Sequence, residues 1–342
     1  MSFFRAFQNW PEVKGGLFAV ALLCSLWGVE VRAEEPGPNE LQISLGLGPS
    51  NYASQMEPRI QNEFLFGGFL LGGAGFAEDW KYSGSSGQRF RLAYLRNSWL
   101  FELEQQTYNA DIAYTSFVQG TINSATVARA TLVEGELEMR QTGLLAGFDW
   151  LQRKNSDLSI YLLFGFRSVD ESFLNEHTAI TSVSSGTASV IVPGASPVNE
   201  TLIFQGALYS GFDIQYRYSA QITLQLRLGL ESGTGDWEST ELLYGTDGSF
   251  DFRREIGETS MGGLQLDFGM EYALNPDWSL FLKLQSHRLW LQTSRVLPLT
   301  ANSSGITDSQ RLQDLILTYN GARHEGRTSA VVMGFTYRYH FW

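Results

Sequence analysis

Cysteine is almost missing from this chain of 342 residues: the single one, Cys24, sits in an N-terminal apolar run. A disulfide framework is excluded, and so is thiolate catalysis in the rest of the chain. Long apolar runs are missing too. Beyond Val29 nothing approaches the ~18 uncharged apolar residues that a membrane-spanning helix requires. Basic charge is scarce, with 24 Lys and Arg against 36 Asp and Glu, for a formal net charge of −12. Nucleic acid, which calls for a basic face, is not an expected partner.

Catalytic spacings are also absent. The four histidines stand in no Asp-x-His unit, the nearest fragments being Glu78-Asp79-Trp80 and Asn175-Glu176-His177. Ser286 directly precedes His287, and no serine lies two residues from a histidine as a strand-borne nucleophile and base require. His177 and His324 read as ordinary loop residues. No glycine loop runs into a lysine and no metal-ligand spacing occurs. We therefore expect no enzyme, and assign no catalytic residue, metal or cofactor.

What is present is aromatic side chains, 13% of the chain, and 35 glycines. Met1 to Ala33 has a charged start (Arg5, Lys14), an uncharged run from Gly15 to Val29 and a Val31-Arg32-Ala33 ending. This is the pattern of a secretory signal peptide, which leaves 34–342 as the mature chain.

The chain is organised around its end. In Thr328–Trp342 the residues Val331, Met333, Phe335, Tyr337, Tyr339 and Phe341 alternate with Val332, Gly334, Thr336, Arg338 and His340. A period of two places the first set on one face of a strand. In water such a face invites aggregation, whereas in a bilayer a spanning strand of ~9–11 residues needs it. The same alternation recurs upstream. It predicts strands from Asn39 to Leu47, Gln88 to Arg96, Trp99 onward, about Glu134 to Trp150, and Leu158 to Ser168. It continues from Leu202 to Tyr216, Ile222 to Leu230, Leu264 to Tyr272 and Trp278 to Leu284. In the fourth the apolar parity changes near Thr142-Gly143, which predicts a β-bulge.

Connections alternate between short (96–98, 151–157, 217–220, 275–277) and long (49–87, 107–133, 169–200, 232–260, 292–327). Short periplasmic turns and long extracellular loops are the asymmetry of transmembrane barrels. The expectation is an all-β, antiparallel up-and-down transmembrane β-barrel of 10 strands. An alternative of 12 arises if Arg59–Trp80 forms a hairpin turning at Gly67-Gly68, but paired glycines weaken strands. Trp99, Trp150, Tyr216, Tyr272, Trp278 and Phe341 gather at the short-turn ends as an aromatic girdle.

The same parity turns charges toward the lumen: Arg91, Glu102, Glu104, Arg140, Arg167, Asp213, Arg227, Asp267, Glu271, Lys283 and Arg338, with Glu136, Glu138, Glu231 and His287 beside them. Charges in a low-dielectric interior are either paired or hydrated. Two outcomes stay open: an ion-pair network filling a narrow bore, or a hydrophilic channel lined with both signs. The acidic stretch 231–258 reads as a solvated loop.

The segments SGQRFRLAYLRNSWLFELE, YLLFGFRSVDES, LQLRLGLESGTGD and GFTYRYHFW together resemble the porin-like class of Gram-negative outer-membrane β-barrel proteins. The resemblance covers about 39–342 and is one of pattern. It implies the cell outer membrane, contact with its lipid and lipopolysaccharide, and insertion by the barrel-assembly machinery. It also implies a narrow passive channel for small polar solutes or, alternatively, a non-conducting barrel that displays surface loops in a structural or adhesive role. Its oligomeric state and any solute are left open.

Overall fold

The computed structural model describes residues 39–53, 76–122, 125–151, 157–184, 187–191, 199–244, 250–298 and 323–341. The signal-peptide segment, most of the 59–80 stretch and Trp342 lie outside the described residues.

The strands are β1 (Asn39–Ala53), β2 (Phe76–Arg96), β3 (Trp99–Ile122), β4 (Ala125–Asp149), β5 (Leu158–Ser184), β6 (Thr187–Ile191), β7 (Asn199–Arg217), β8 (Ile222–Tyr244), β9 (Phe250–Ala273), β10 (Trp278–Pro298) and β11 (Arg323–Phe341). Their order is β4-β3-β2-β1-β11-β10-β9-β8-β7-β5, and a β4–β5 pairing closes the ring. Every neighbour is antiparallel, so this is the expected up-and-down barrel of 10 strands. The short β6 pairs with β5 alone, from Ser184↔Thr187 to Ile180↔Ile191, as a hairpin arm beyond the ring.

The seam joins the first strand to the last, with Leu41↔Tyr339, Ile43↔Tyr337 and Leu45↔Phe335 in register. Its inner surface is made by glycine: Gly46 faces Gly334, and Phe281 of β10, opposite Gly334, lies over both. A Cβ on Gly334 would stand 1.9 Å from the Leu45 carbonyl oxygen, so only glycine lets the two strands approach. The short turns are held locally. Asn97 takes a left-handed φ of 54° between β2 and β3. The Asn275 side-chain oxygen accepts from the N–H groups of Asp277 and Trp278, both at 2.9 Å.

Outward rows of Leu, Phe, Met and Tyr form a continuous belt, with Met333 61% and Leu228 40% exposed. On β11 the row from Val331 to Phe341 runs about 33 Å at ~3.3 Å per residue, which the ~40° tilt of such barrels turns into ~25 Å of height. That is the thickness of the hydrocarbon band. Exposed Trp99, Trp150, Tyr216, Tyr272 and Trp278 mark its short-turn edge.

Two expectations are corrected. The strands are longer than the alternation implied, β5 reaching 27 residues, and most of 107–133 is the β3–β4 pairing from Trp99↔Phe148 to Ile122↔Ala125. Beyond the belt there is no lipid to demand an apolar outer face, so the signal fades while the hydrogen-bonded ladder continues. The bulge at Thr142-Gly143 is not there: register passes unbroken through Thr142↔Gln105 and Gly143↔Glu104, and the irregularity in the β4–β5 pairing falls at Glu134/Gly135, where one residue of β5 is skipped. What changes near Thr142 is the side that carries the apolar residues. Below it Leu144, Ala146 and Phe148 point out; above it Leu137 and Met139 are buried inside.

This inversion extends around the ring. Inside the wall above the belt, Tyr108, Ile112, Leu137, Met139, Val169, Phe173, Ile203, Trp237, Met261, Leu289 and Leu291 form one buried apolar cluster. The outer surface there is polar, as in a barrel packed for water. A smaller cluster of Ala93, Leu100, Leu145, Tyr161, Leu163 and Tyr209 lies toward the short turns of β2–β5 and β7. Between the two clusters is a layer of charge, except on β10 and β11, where the larger cluster continues behind the belt through Phe281 and Val332.

Candidate functional site

The charged layer stands behind the belt because inward positions alternate with belt residues: Arg227 lies between Leu226 and Leu228, Asp213 between Phe212 and Ile214, and Lys283 between Leu282 and Leu284. Its centre is Arg227 of β8, 1% exposed. One guanidinium nitrogen donates to Glu102 at 2.6 Å and reaches Glu104 at 3.2 Å; the other donates to Asp213 at 2.8 Å and again to Glu102 at 3.0 Å. Glu102 and Glu104 belong to β3, and at least three strands separate β3 from β8 either way round the ring. Arg227 therefore crosses the bore. Arg91 holds Glu102 at 2.7 Å and Arg89 holds Glu104 at 2.6 Å, so each carboxylate is shared between cations.

A second bridge lies at the upper edge of the belt. The Gln141 amide nitrogen of β4 is 2.5 Å from His287 Nδ1 of β10, and four strands lie between β4 and β10 in either direction. An amide N–H can only donate, so Nδ1 accepts and the ring carries its proton on Nε2. That Nε2 is 3.3 Å from Glu231, close but not aligned as a hydrogen bond. Glu231 also pairs with Arg167, whose other nitrogen donates to Gln265 at 2.9 Å and whose guanidinium stacks 4.6 Å over the Tyr209 ring. At the short-turn mouth Arg338 pairs with Glu271 and lies 3.4 Å from Glu40.

Asp267 accepts from Gln265 at 2.8 Å through one oxygen, and its other oxygen has no partner among the described residues. Lys283 is buried beside this group, and no ion pair joins it to a carboxylate among the described residues. The Gln285 amide is likewise buried with neither polar atom bonded.

Of the lumen-facing residues expected from the sequence, Arg91, Glu102, Glu104, Arg167, Asp213, Arg227, Asp267 and Lys283 converge in this layer, while Glu271 and Arg338 meet at the mouth. Arg140 does not join them. It is half-exposed on the outer wall, 2.8 Å from Glu138, with Glu136 also outward. The parity inferred across Thr142 was inverted, which moved all three to the wrong face. Arg89 and Gln141 were missed. Arg89 shares the parity of Arg91 and was legible; Gln141 was hidden by the same false bulge.

A closed ring, an apolar belt of bilayer height and an inward layer of charge define a transmembrane β-barrel of the outer-membrane type. Comparisons add fold likeness alone. No family model and no curated protein matches the chain. Among solved structures it is similar to the outer-membrane protease OmpT from Escherichia coli (12% identity, 90% of this chain and 99% of that one, TM-score 0.47). It is also similar to the outer-membrane protein OprG from Pseudomonas aeruginosa (10% identity, 89% and 97% covered, TM-score 0.26) and to the NanC porin (13% identity, 77% and 98% covered, TM-score 0.23).

Proposed function

We propose that the protein is a non-conducting outer-membrane barrel whose bore is shut by its own side chains and whose work is done at the long-loop end, in surface display or adhesion. The observation that carries this reading is the pair of bridges spanning the bore, Arg227 to Glu102 and Gln141 to His287. Each ties nearly opposite walls at a different depth.

A second reading, the narrow passive channel for small polar solutes, is favoured by the buried polar atoms of Asp267, Gln285 and Arg89 that lack a partner among the described residues. Water would satisfy them, and a file of water is the start of a conduction path. Planar-bilayer recording of the purified protein separates the two. The proposal expects a silent wild type and a new conductance in the double variant Arg227→Ala/Gln141→Ala. Steady ohmic steps from the wild type would refute it and favour the channel.

A further inference from the structure

Just above the belt, the outward charges around the wall are mostly carboxylates: Glu136, Glu138, Asp236 and Glu258, with Arg140 paired to Glu138. The β10–β11 pair differs. Arg288 and Arg327 stand directly opposite each other in register, both on the outer face, 52% and 67% exposed. Like charges in that arrangement repel unless an anion lies between them. Glu325 is that anion in part. It accepts from Arg288 Nη2 at 2.8 Å and from Arg327 Nε at 2.5 Å, and Arg288 Nε lies 2.5 Å from it as an ion pair. One carboxylate thus serves two cations. Nη1 of Arg288 and both terminal nitrogens of Arg327 have no acceptor among the described residues.

Depth says what the second anion is. Arg288 lies four residues beyond Leu284, the last belt leucine of β10, and Arg327 four before Val331. At ~3.3 Å per residue and the usual tilt this is about 10 Å above the hydrocarbon, at headgroup level for side chains as long as arginine. Directly beneath, Leu282, Leu284, Val331 and Met333 offer hydrocarbon a continuous surface.

We propose that Arg288 and Arg327 form a clamp for the phosphate of an outer-leaflet lipid, with Glu325 as the spacer that presents both guanidinium groups. The clamp is on the outer wall and does not depend on whether the bore conducts. Planar guanidinium donors match phosphate oxygens in pairs, and the acyl chains of the same lipid lie against the belt below.

The test uses the full barrel in lipid-free detergent, with bisphosphorylated lipid A, its dephosphorylated form and inorganic phosphate as probes, read by native electrophoresis and by the temperature of heat-modifiable migration. The expected result is a loss of about tenfold or more in affinity for the phosphorylated lipid in Arg288→Gln/Arg327→Gln. Dephosphorylated lipid should bind both proteins alike and weakly, and inorganic phosphate should not shift the wild-type transition. Equal affinity of wild type and double variant for phosphorylated lipid A, or equal affinity of the wild type for both lipids, would overturn the proposal. A transition raised equally by inorganic phosphate would overturn the lipid as the source. Should the double variant fail to show heat-modifiable migration, Arg327→Gln alone carries the same comparison.

Discussion

Arg227 is where a cation would be least tolerable if left alone, fully enclosed and facing Glu102, Glu104 and Asp213. Its value lies in what its loss would strand. Arg227→Ala leaves carboxylates buried without their shared partner and should cost about 3–5 kcal/mol, read as a lower denaturant midpoint. Arg140→Ala, on the solvated outer wall, should change stability by less than ~0.5 kcal/mol. That contrast also tests which of the two faces the bore. Above the belt, hydrogen bonds from Arg288 and then Arg327 hold the Glu325 carboxyl at about 2, below its usual 4.5. A depressed carboxylate contributes stability that is present above pH ~4.5 and lost as pH falls toward 2. Since the group is solvent-screened, the contribution is small, under ~1 kcal/mol. The stability difference between wild type and Glu325→Gln should therefore be flat above pH 5 and vanish near pH 2.

At the scale of the strand, the seam is the critical element. β11 pairs with β1 on one side and β10 on the other, so closure depends on it twice. Gly334→Ala drives a methyl into the Leu45 carbonyl and should leave most of the protein without heat-modifiable migration. Deleting Tyr339–Trp342 removes the pairs Leu41↔Tyr339, Glu40↔His340 and Asn39↔Phe341 and should abolish outer-membrane accumulation, measured by fractionation. Strand identity was legible where lipid imposes its demand: Ile222–Leu230 and Leu264–Tyr272 read at once because every outward residue must be apolar. It was illegible where the ladder leaves the bilayer. There Glu136, Glu138 and Arg140 are outward and Leu137 and Met139 inward, a pattern with the same period and the opposite sign. A reader who expects apolar residues always to mark the outside must invent a bulge to reconcile the two. The bore-crossing contacts of Arg227 and Gln141 were not legible at all, because which inward residues meet depends on the order and stagger of the ring.

Across the whole molecule, one wall serves two solvents. Its lower storey is apolar outside and charged within; its upper storey is polar outside and apolar within. The protein should accordingly stay with the membrane pellet through alkaline carbonate extraction, since the belt has no aqueous alternative. Substitution of Trp237 by Ala should cost about 3–5 kcal/mol, as in an ordinary protein core. Because the two storeys share every strand, they share a single phase of alternation. Inserting one residue at the rim, for instance after Thr142, would keep one storey correct and turn the other inside out. Inserting two would preserve both. The strands can therefore lengthen or shorten over generations freely in even steps, whereas an odd step needs a β-bulge to restore the phase, as at the register shift beside Glu134. A deletion scan across β4 that recovered odd and even losses equally would show that the wall has no such arithmetic.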